Sequence, residues 1–190
     1  MSSHMTLFCC YAQKERGLAQ RLEQQLAPLL RRGAVGAWNE LAIDVVGGWD
    51  DVHRHHYTTA DIILWLVSPD FLASDYLQSA EMVNALEWQR RNEVRLVPIL
   101  AEPAPWNDGR FSQLDLLPKN GLALTDSAWP DQEEACYAVV EALHTLIKEL
   151  DTSPLQAKVQ PAAPPPLGAP SRVSVLTGTL PLWRRRAFQF

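Results

Sequence analysis

No glycine-rich phosphate loop is present: the nine glycines fall in neither the G-x-x-x-x-G-K-[S/T] nor the G-x-G-x-x-G spacing. That disfavours the nucleotide folds whose backbone cradles phosphates on such loops. The sequence contains no run of about 18 apolar residues, the length a membrane-spanning helix needs, and no signal peptide. Cysteine is scarce and odd in number, with only Cys9, Cys10 and Cys136. Cys9 and Cys10 are adjacent on an expected strand and alternate faces, which opposes a mutual disulfide. Reduced, buried thiols in a cytoplasmic protein follow. Basic charge is also thin. With a net charge of −5 and a single basic cluster at Arg184-Arg185-Arg186, the chain is not built to bind nucleic acid directly. No metal set stands out either. His53 and His56 share a helix face, but no Cys or carboxylate is spaced to complete a zinc site.

What is present is an alternation of strands and helices. At 190 residues and 47% hydrophobic, the chain has room for one domain with its own core. Met5 to Tyr11 is an apolar run and the expected first strand. Leu18, Leu22, Leu26 and Leu29 then line one helix face, which Gly33 can end. Val35 to Trp38 reads as a brief second strand, residues 39 to 48 as a loop closed by Gly47-Gly48, and Trp49 to Thr59 as a helix. Ile62 to Val67 is unbroken in its apolarity, as expected for a strand buried on both faces. A helix is predicted over about Asp75 to Arg91, a fourth strand over Val94 to Leu100, and a minimal fifth strand over Leu122 to Leu124. Ala135, Val139, Ala142, Leu146 and Leu150 mark a last helix. The pattern predicts an α/β domain over residues 5 to 150: a five-stranded parallel sheet with helices on both faces, in the three-layer flavodoxin-like arrangement.

The ends read differently. Met1 to His4 has the character of an expression-vector remnant. Residues 151 to 170 are expected to form a Pro-rich linker, with prolines at 154, 161, 164, 165, 166 and 170. Residues 171 to 190 form a tail that is too short to fold alone, the expected stub of a following module.

Function in open parallel sheets collects at the carboxyl ends of the strands, and the most informative words lie there. Phe8-Cys9-Cys10-Tyr11-Ala12-Gln13-Lys14-Glu15 carries a Phe, a Tyr and an acid in order. Trp38-Asn39-Glu40-Leu41-Ala42-Ile43 leads through a loop to Trp49. Ala60 to Tyr76 runs from an apolar strand through Ser68-Pro69-Asp70-Phe71-Leu72-Ala73-Ser74-Asp75-Tyr76, and Glu81 follows on a helix. These words, in this order, resemble the Toll/interleukin-1 receptor (TIR) domain family, in particular its bacterial members. The chain departs from that pattern in four places. The loop glycine lies one place late, at Gly47. Cys10 stands at the usual Ser position, the loop between Trp38 and Trp49 lacks its usual Pro, and Leu77 replaces a Trp or Cys four residues before Glu81.

The resemblance implies an activity. Many bacterial TIR domains cleave NAD+ between nicotinamide and ribose, giving ADP-ribose or cyclic products, so NAD+ is implied as substrate and no cofactor is needed. Glu81 is implied as the catalytic residue, with Tyr11, Ala12, Trp38, Ile43, Trp49 and Leu77 as substrate-binding positions. The chemistry agrees with a single carboxylate. Nicotinamide leaves as a neutral group that needs no acid, while the ribose passes through an oxocarbenium-like state that one negative charge can stabilise. Trp38 or Trp49 could stack on a flat ring. Self-association through the 39–48 loop is implied as well, and so are a sensor or oligomerising module as partner and a role in bacterial defence signalling. A non-catalytic TIR interaction module that only assembles with its like stands beside this reading. A phospho-receiver is disfavoured, because Cys9-Cys10-Tyr11 and Leu122-Ala123-Leu124 lack the acids and the lysine it needs. Without the resemblance Glu81 would pass as a solvated helix residue and Cys10 as packing.

Overall fold

The structure is a computed structural model and describes residues 4–43, 49–107, 109 and 111–158. Among these, four strands form one parallel sheet: β1 (Met5–Tyr11), β2 (Val35–Ala42), β3 (Ile62–Val67) and β4 (Arg95–Leu100), in the order β2-β1-β3-β4. The helices are α1 (Arg16–Arg31), α2 (Asp51–Thr59), α3 (Pro69–Ala73), α4 (Ala80–Arg90) and α5 (Gln132–Thr152). Strand alternation sorts the side chains into two cores. Leu7, Cys9, Tyr11, Leu64, Val97 and Ile99 pack on the face shared with α1 and α5. Phe8, Cys10, Ile63, Trp65, Val67 and Leu100 pack on the opposite face, with Tyr57, Phe71, Met82 and Trp88. All six β3 residues are buried because both of its faces are covered. This is the helices-on-both-faces α/β architecture that the alternation predicts, with the first four strands in flavodoxin-like order.

The predicted fifth strand does not form. Leu122–Leu124 contributes one ladder-like bond, Leu124 N–H to the Leu100 carbonyl at 2.9 Å. Three residues between turns are too few to run a ladder. The outer edge of β4 is closed piecemeal instead. The Leu96 N–H donates to Gln89 Oε1 at 2.7 Å. Pro98 has no N–H, and its carbonyl accepts from Leu117 N at 2.9 Å, while Leu100 N–H donates to the Leu117 carbonyl at 2.8 Å. Pro98 is tolerated in mid-strand because β4 is an edge.

Three boundaries also move. β2 runs four residues past Trp38, because it stays in register with β1 as far as the Tyr11–Ala42 pair despite the polar Asn39 and Glu40. The expected helix over 75–91 is divided: Asp75–Gln78 is a 3-10 turn, and Ser79 caps α4 by accepting from Met82 N–H at 3.2 Å. α5 ends at Thr152, and the chain stays on the domain beyond it rather than leaving at 150. Gln156 N–H donates to the Asn92 carbonyl at 2.8 Å. Lys158 donates to the carbonyls of Thr58 (2.8 Å) and Ala60, and its ammonium lies 5.0 Å over the Trp88 ring. Burial pulls the Lys158 pKa down to about 8, against the nearby charges of Asp61 and Glu93. Of the predicted 39–48 loop, residues 44–48 lie outside the described residues, as does the tail from 159.

Candidate functional site

The chain from β3 onward builds the site through a series of caps. Ser68, at the end of β3, accepts from Phe71 N–H at 3.1 Å and starts α3, with Pro69 in its first turn. Ser74 and Ser79 then break and restart the helix, which sets Glu81 in the first turn of α4. An acid is favoured there by the helix dipole. The Glu81 side chain is 16% exposed, and Oε1 is paired with Nη1 of Arg54, whose side chain is 50% exposed. Arg54 lies on α2, fixed at its start by Asp50, whose Oδ1 accepts from His53 N–H at 2.8 Å and contacts His53 Nδ1 at 2.7 Å. Those bonds from His53 hold the Asp50 carboxyl below its ordinary pKa.

A buried polar chain secures the backbone at Glu81. Trp65 Nε1–H donates to the Tyr76 hydroxyl at 3.0 Å, and the Tyr76 and Tyr57 hydroxyls are 2.9 Å apart. The Tyr57 hydroxyl donates to the Glu81 carbonyl at 2.9 Å. One order of protons satisfies every link: Trp65 to Tyr76, Tyr76 to Tyr57, Tyr57 to Glu81. Burial pushes the pKa of both phenols well up, so they remain neutral donors. The Cys10 thiol reaches the Tyr76 hydroxyl at 3.9 Å, and burial raises its pKa too, so it is packing and not a reactive thiolate.

The predicted substrate-binding residues divide between the two faces of the sheet. Ile43, Trp49 and Leu77 pack on the α2–α4 side. Trp49 is stacked over Tyr76 (6.0 Å, 6°) and Phe8 (6.2 Å, 17°) and meets Tyr57 edge-on at 5.1 Å, so its ring is part of the core wall. Tyr11 and Trp38 lie on the opposite face. The Tyr11 hydroxyl donates to Glu40 Oε1 at 3.2 Å, and Trp38 packs against the α1–α5 core with its ring N–H buried. Ala12 is fully buried at the end of β1. The structure therefore groups Glu81 with Ile43, Trp49 and Leu77 and sets Tyr11 and Trp38 apart, as period-two alternation along β1 and β2 requires. Arg54 and the Tyr57–Tyr76 pair escaped sequence reasoning. Tyr76 carried a signal in the turn motif; Arg54, 27 residues before its partner, carried none.

Between the β1 and β3 ends lies a second acid. Glu15 is 2% exposed and neither carboxylate oxygen is hydrogen-bonded. Burial raises its pKa, with Glu102 and Asp70 adding to the shift. Ser68 opposes the shift, but its hydroxyl is not in bonding geometry to either oxygen. Lys14 pairs with Glu102 (3.0 Å) and Asp70 (3.5 Å) instead. A carboxyl whose folded pKa is raised loses stability as pH climbs above its unfolded value of about 4.3. Glu15→Gln should therefore gain about 1 kcal/mol at pH 7, roughly 2–4 °C in Tm, shrinking as pH falls toward 5. Thermal melts of both proteins at the two pH values check this; an equal difference at both contradicts it.

An open parallel sheet with a shielded carboxylate in the first turn of α4, after β3, makes an α/β domain whose candidate site lies at the carboxyl edge. Residues 7–138 match the family model described as the TIR domain, and the chain belongs to the TIR domain family. It is 37% identical over 141 residues to an uncharacterised protein, y4lF, of Sinorhizobium fredii, covering 73% of this chain and 42% of that protein. The chain thus spans about two fifths of the length of the curated relative it matches. The crystal structure of a flavodoxin, a WrbA-like protein from Agrobacterium tumefaciens, aligns at 10% identity with a TM-score of 0.40, over 77% of this chain and 99% of that one. Among the described residues, no group of three or more His, Cys, Asp or Glu is placed to hold a metal ion. No described helix is long and apolar enough to cross a membrane.

Proposed function

We propose that this TIR domain is an NAD+ nucleosidase with Glu81 as its catalytic carboxylate. The observation that carries the reading is the placement of Glu81: first turn of α4, largely shielded from water, its backbone fastened by Tyr57. In that position a carboxylate faces little competition from solvent, and its field on a nearby ribose is strong. The C1′–N bond breaks with its electron pair going to nicotinamide, which departs neutral. Glu81 stabilises the positive ribosyl group left behind. Water then adds at C1′ and loses a proton, giving ADP-ribose; addition by a ring nitrogen of the adenine gives a cyclic product. NAD+ is the substrate, and no cofactor takes part. Ile43, Trp49 and Leu77 would form the apolar wall beside the ribose. The proposed setting is cytoplasmic bacterial defence, with turnover gated by a partner module that clusters the domain.

A second reading, a TIR module that only assembles, draws support from Val52 and Val83. These are 61% and 62% exposed and lie on the helices that carry Arg54 and Glu81. Both readings need self-association, and one assay separates them. The full chain, over a range of protein concentrations, is incubated with NAD+ and nicotinamide is measured by chromatography. Release whose specific rate climbs with concentration is expected. Assembly by light scattering without any nicotinamide would leave the scaffold reading in possession.

A further inference from the structure

The Arg54–Glu81 pair has a chemical cost for the reaction proposed above. A guanidinium in contact with the carboxylate cancels the negative field that would stabilise a ribosyl cation. The two partners are unequally held. Glu81 is shielded and its backbone is bound by Tyr57, whereas the Arg54 side chain is half in solvent and can swing away. NAD+ carries charges complementary to both. Its nicotinamide–ribose is positive, and its diphosphate hangs from the same ribose by a single methylene and oxygen. An arginine that touches the carboxylate at the ribose is therefore within a side-chain swing of the first phosphate.

We propose that Arg54 is a specificity-determining residue: it covers Glu81 in the free chain and transfers to the diphosphate when NAD+ binds. Each member of the pair thus occupies the place of the other's substrate contact. Arginine suits the second half of that exchange, because its planar fork matches phosphate oxygens bidentately. A dinucleotide gains a contact as it removes the quencher; a nucleoside without phosphate must displace Arg54 and receives nothing in return. The inference rests on the reading of Glu81 as the catalytic carboxylate.

The test compares NAD+ with nicotinamide riboside, which has the same scissile bond and no phosphate, on the wild-type chain and on Arg54→Gln. For NAD+, kcat/KM should fall about tenfold or more, chiefly through KM, as expected for loss of a charge-assisted contact. For nicotinamide riboside it should hold or rise, because the competitor for Glu81 is gone. Arg54→Lys, which keeps charge and loses the fork, should lower the NAD+ to riboside ratio in the same direction and serves if the Gln variant does not fold. A parallel fall for both substrates would show that Arg54 only orients Glu81 and would overturn the proposal, as would an unchanged ratio. A wild-type chain that cleaves neither substrate overturns the catalytic reading of Glu81 and this inference with it. Wild-type cleavage with no change of ratio overturns this inference alone.

Discussion

Glu81→Gln should reduce nicotinamide release by about a hundredfold to a thousandfold, the scale on which loss of one preorganised electrostatic contact acts. Glutamine keeps the volume and an acceptor oxygen and removes only the charge. The fold should survive, because the Tyr57 bond reaches the backbone carbonyl and not the side chain. Arg54 can still donate to the amide oxygen. A melting curve within a few degrees of the parent, together with steady-state rates at matched high protein concentration, would isolate the charge as the cause. Equal rates for the two proteins would remove Glu81 from the chemistry.

Tyr76→Phe should produce the largest loss of stability among single-atom changes near the site. The hydroxyl accepts from Trp65 Nε1 at 3.0 Å and bonds Tyr57 at 2.9 Å, and its residue is 3% exposed. Deleting it leaves the Trp65 N–H buried without an acceptor and the Tyr57 hydroxyl short of a donor. Each stranded group costs about 1–3 kcal/mol, so a total of about 3 kcal/mol and on the order of 10 °C in Tm is expected. Tyr57→Phe should cost less. The double variant should cost less than the sum of the singles, because with both hydroxyls gone only the Trp65 N–H and the Glu81 carbonyl lose a partner, fewer groups than the two single deletions strand together. Additive losses would show that the two hydroxyls do not act as one chain.

Elements whose cause is local could be read in the sequence. The apolar run Ile62–Val67 has one structural solution in a covered sheet, and the leucine spacing of α1 has one face to bury. Leu122–Leu124 failed as a strand because a ladder depends on neighbours, and here the edge is occupied by Leu117 and by the Gln89 side chain. The helix break at Ser79 was visible in principle, since a serine three residues before Met82 is a cap. Around Glu81, the family words said nothing of Arg54, whose contact exists only once α2 and α4 pack together. Tyr11 and Trp38 share motifs with Ile43 and Trp49 and yet face α1 and α5. Membership in a motif follows the order of residues along the chain, whereas the core a side chain joins follows the side of the sheet.

The closed outer edge of β4 limits how copies of this domain can join. Its outward donors at Leu96 and Leu100 are already spent on Gln89 and Leu117, and Pro98 has none to offer. A second chain arriving there finds no free backbone donor among Leu96, Pro98 and Leu100, so backbone templating of the kind that runs on into irreversible fibres is opposed on that flank. Contacts between copies at that flank must then be made by side chains. Side-chain contacts can be tuned by salt and by single substitutions, and they form reversibly. For a domain proposed to consume a cell's own NAD+, a reversible assembly provides a way to stop.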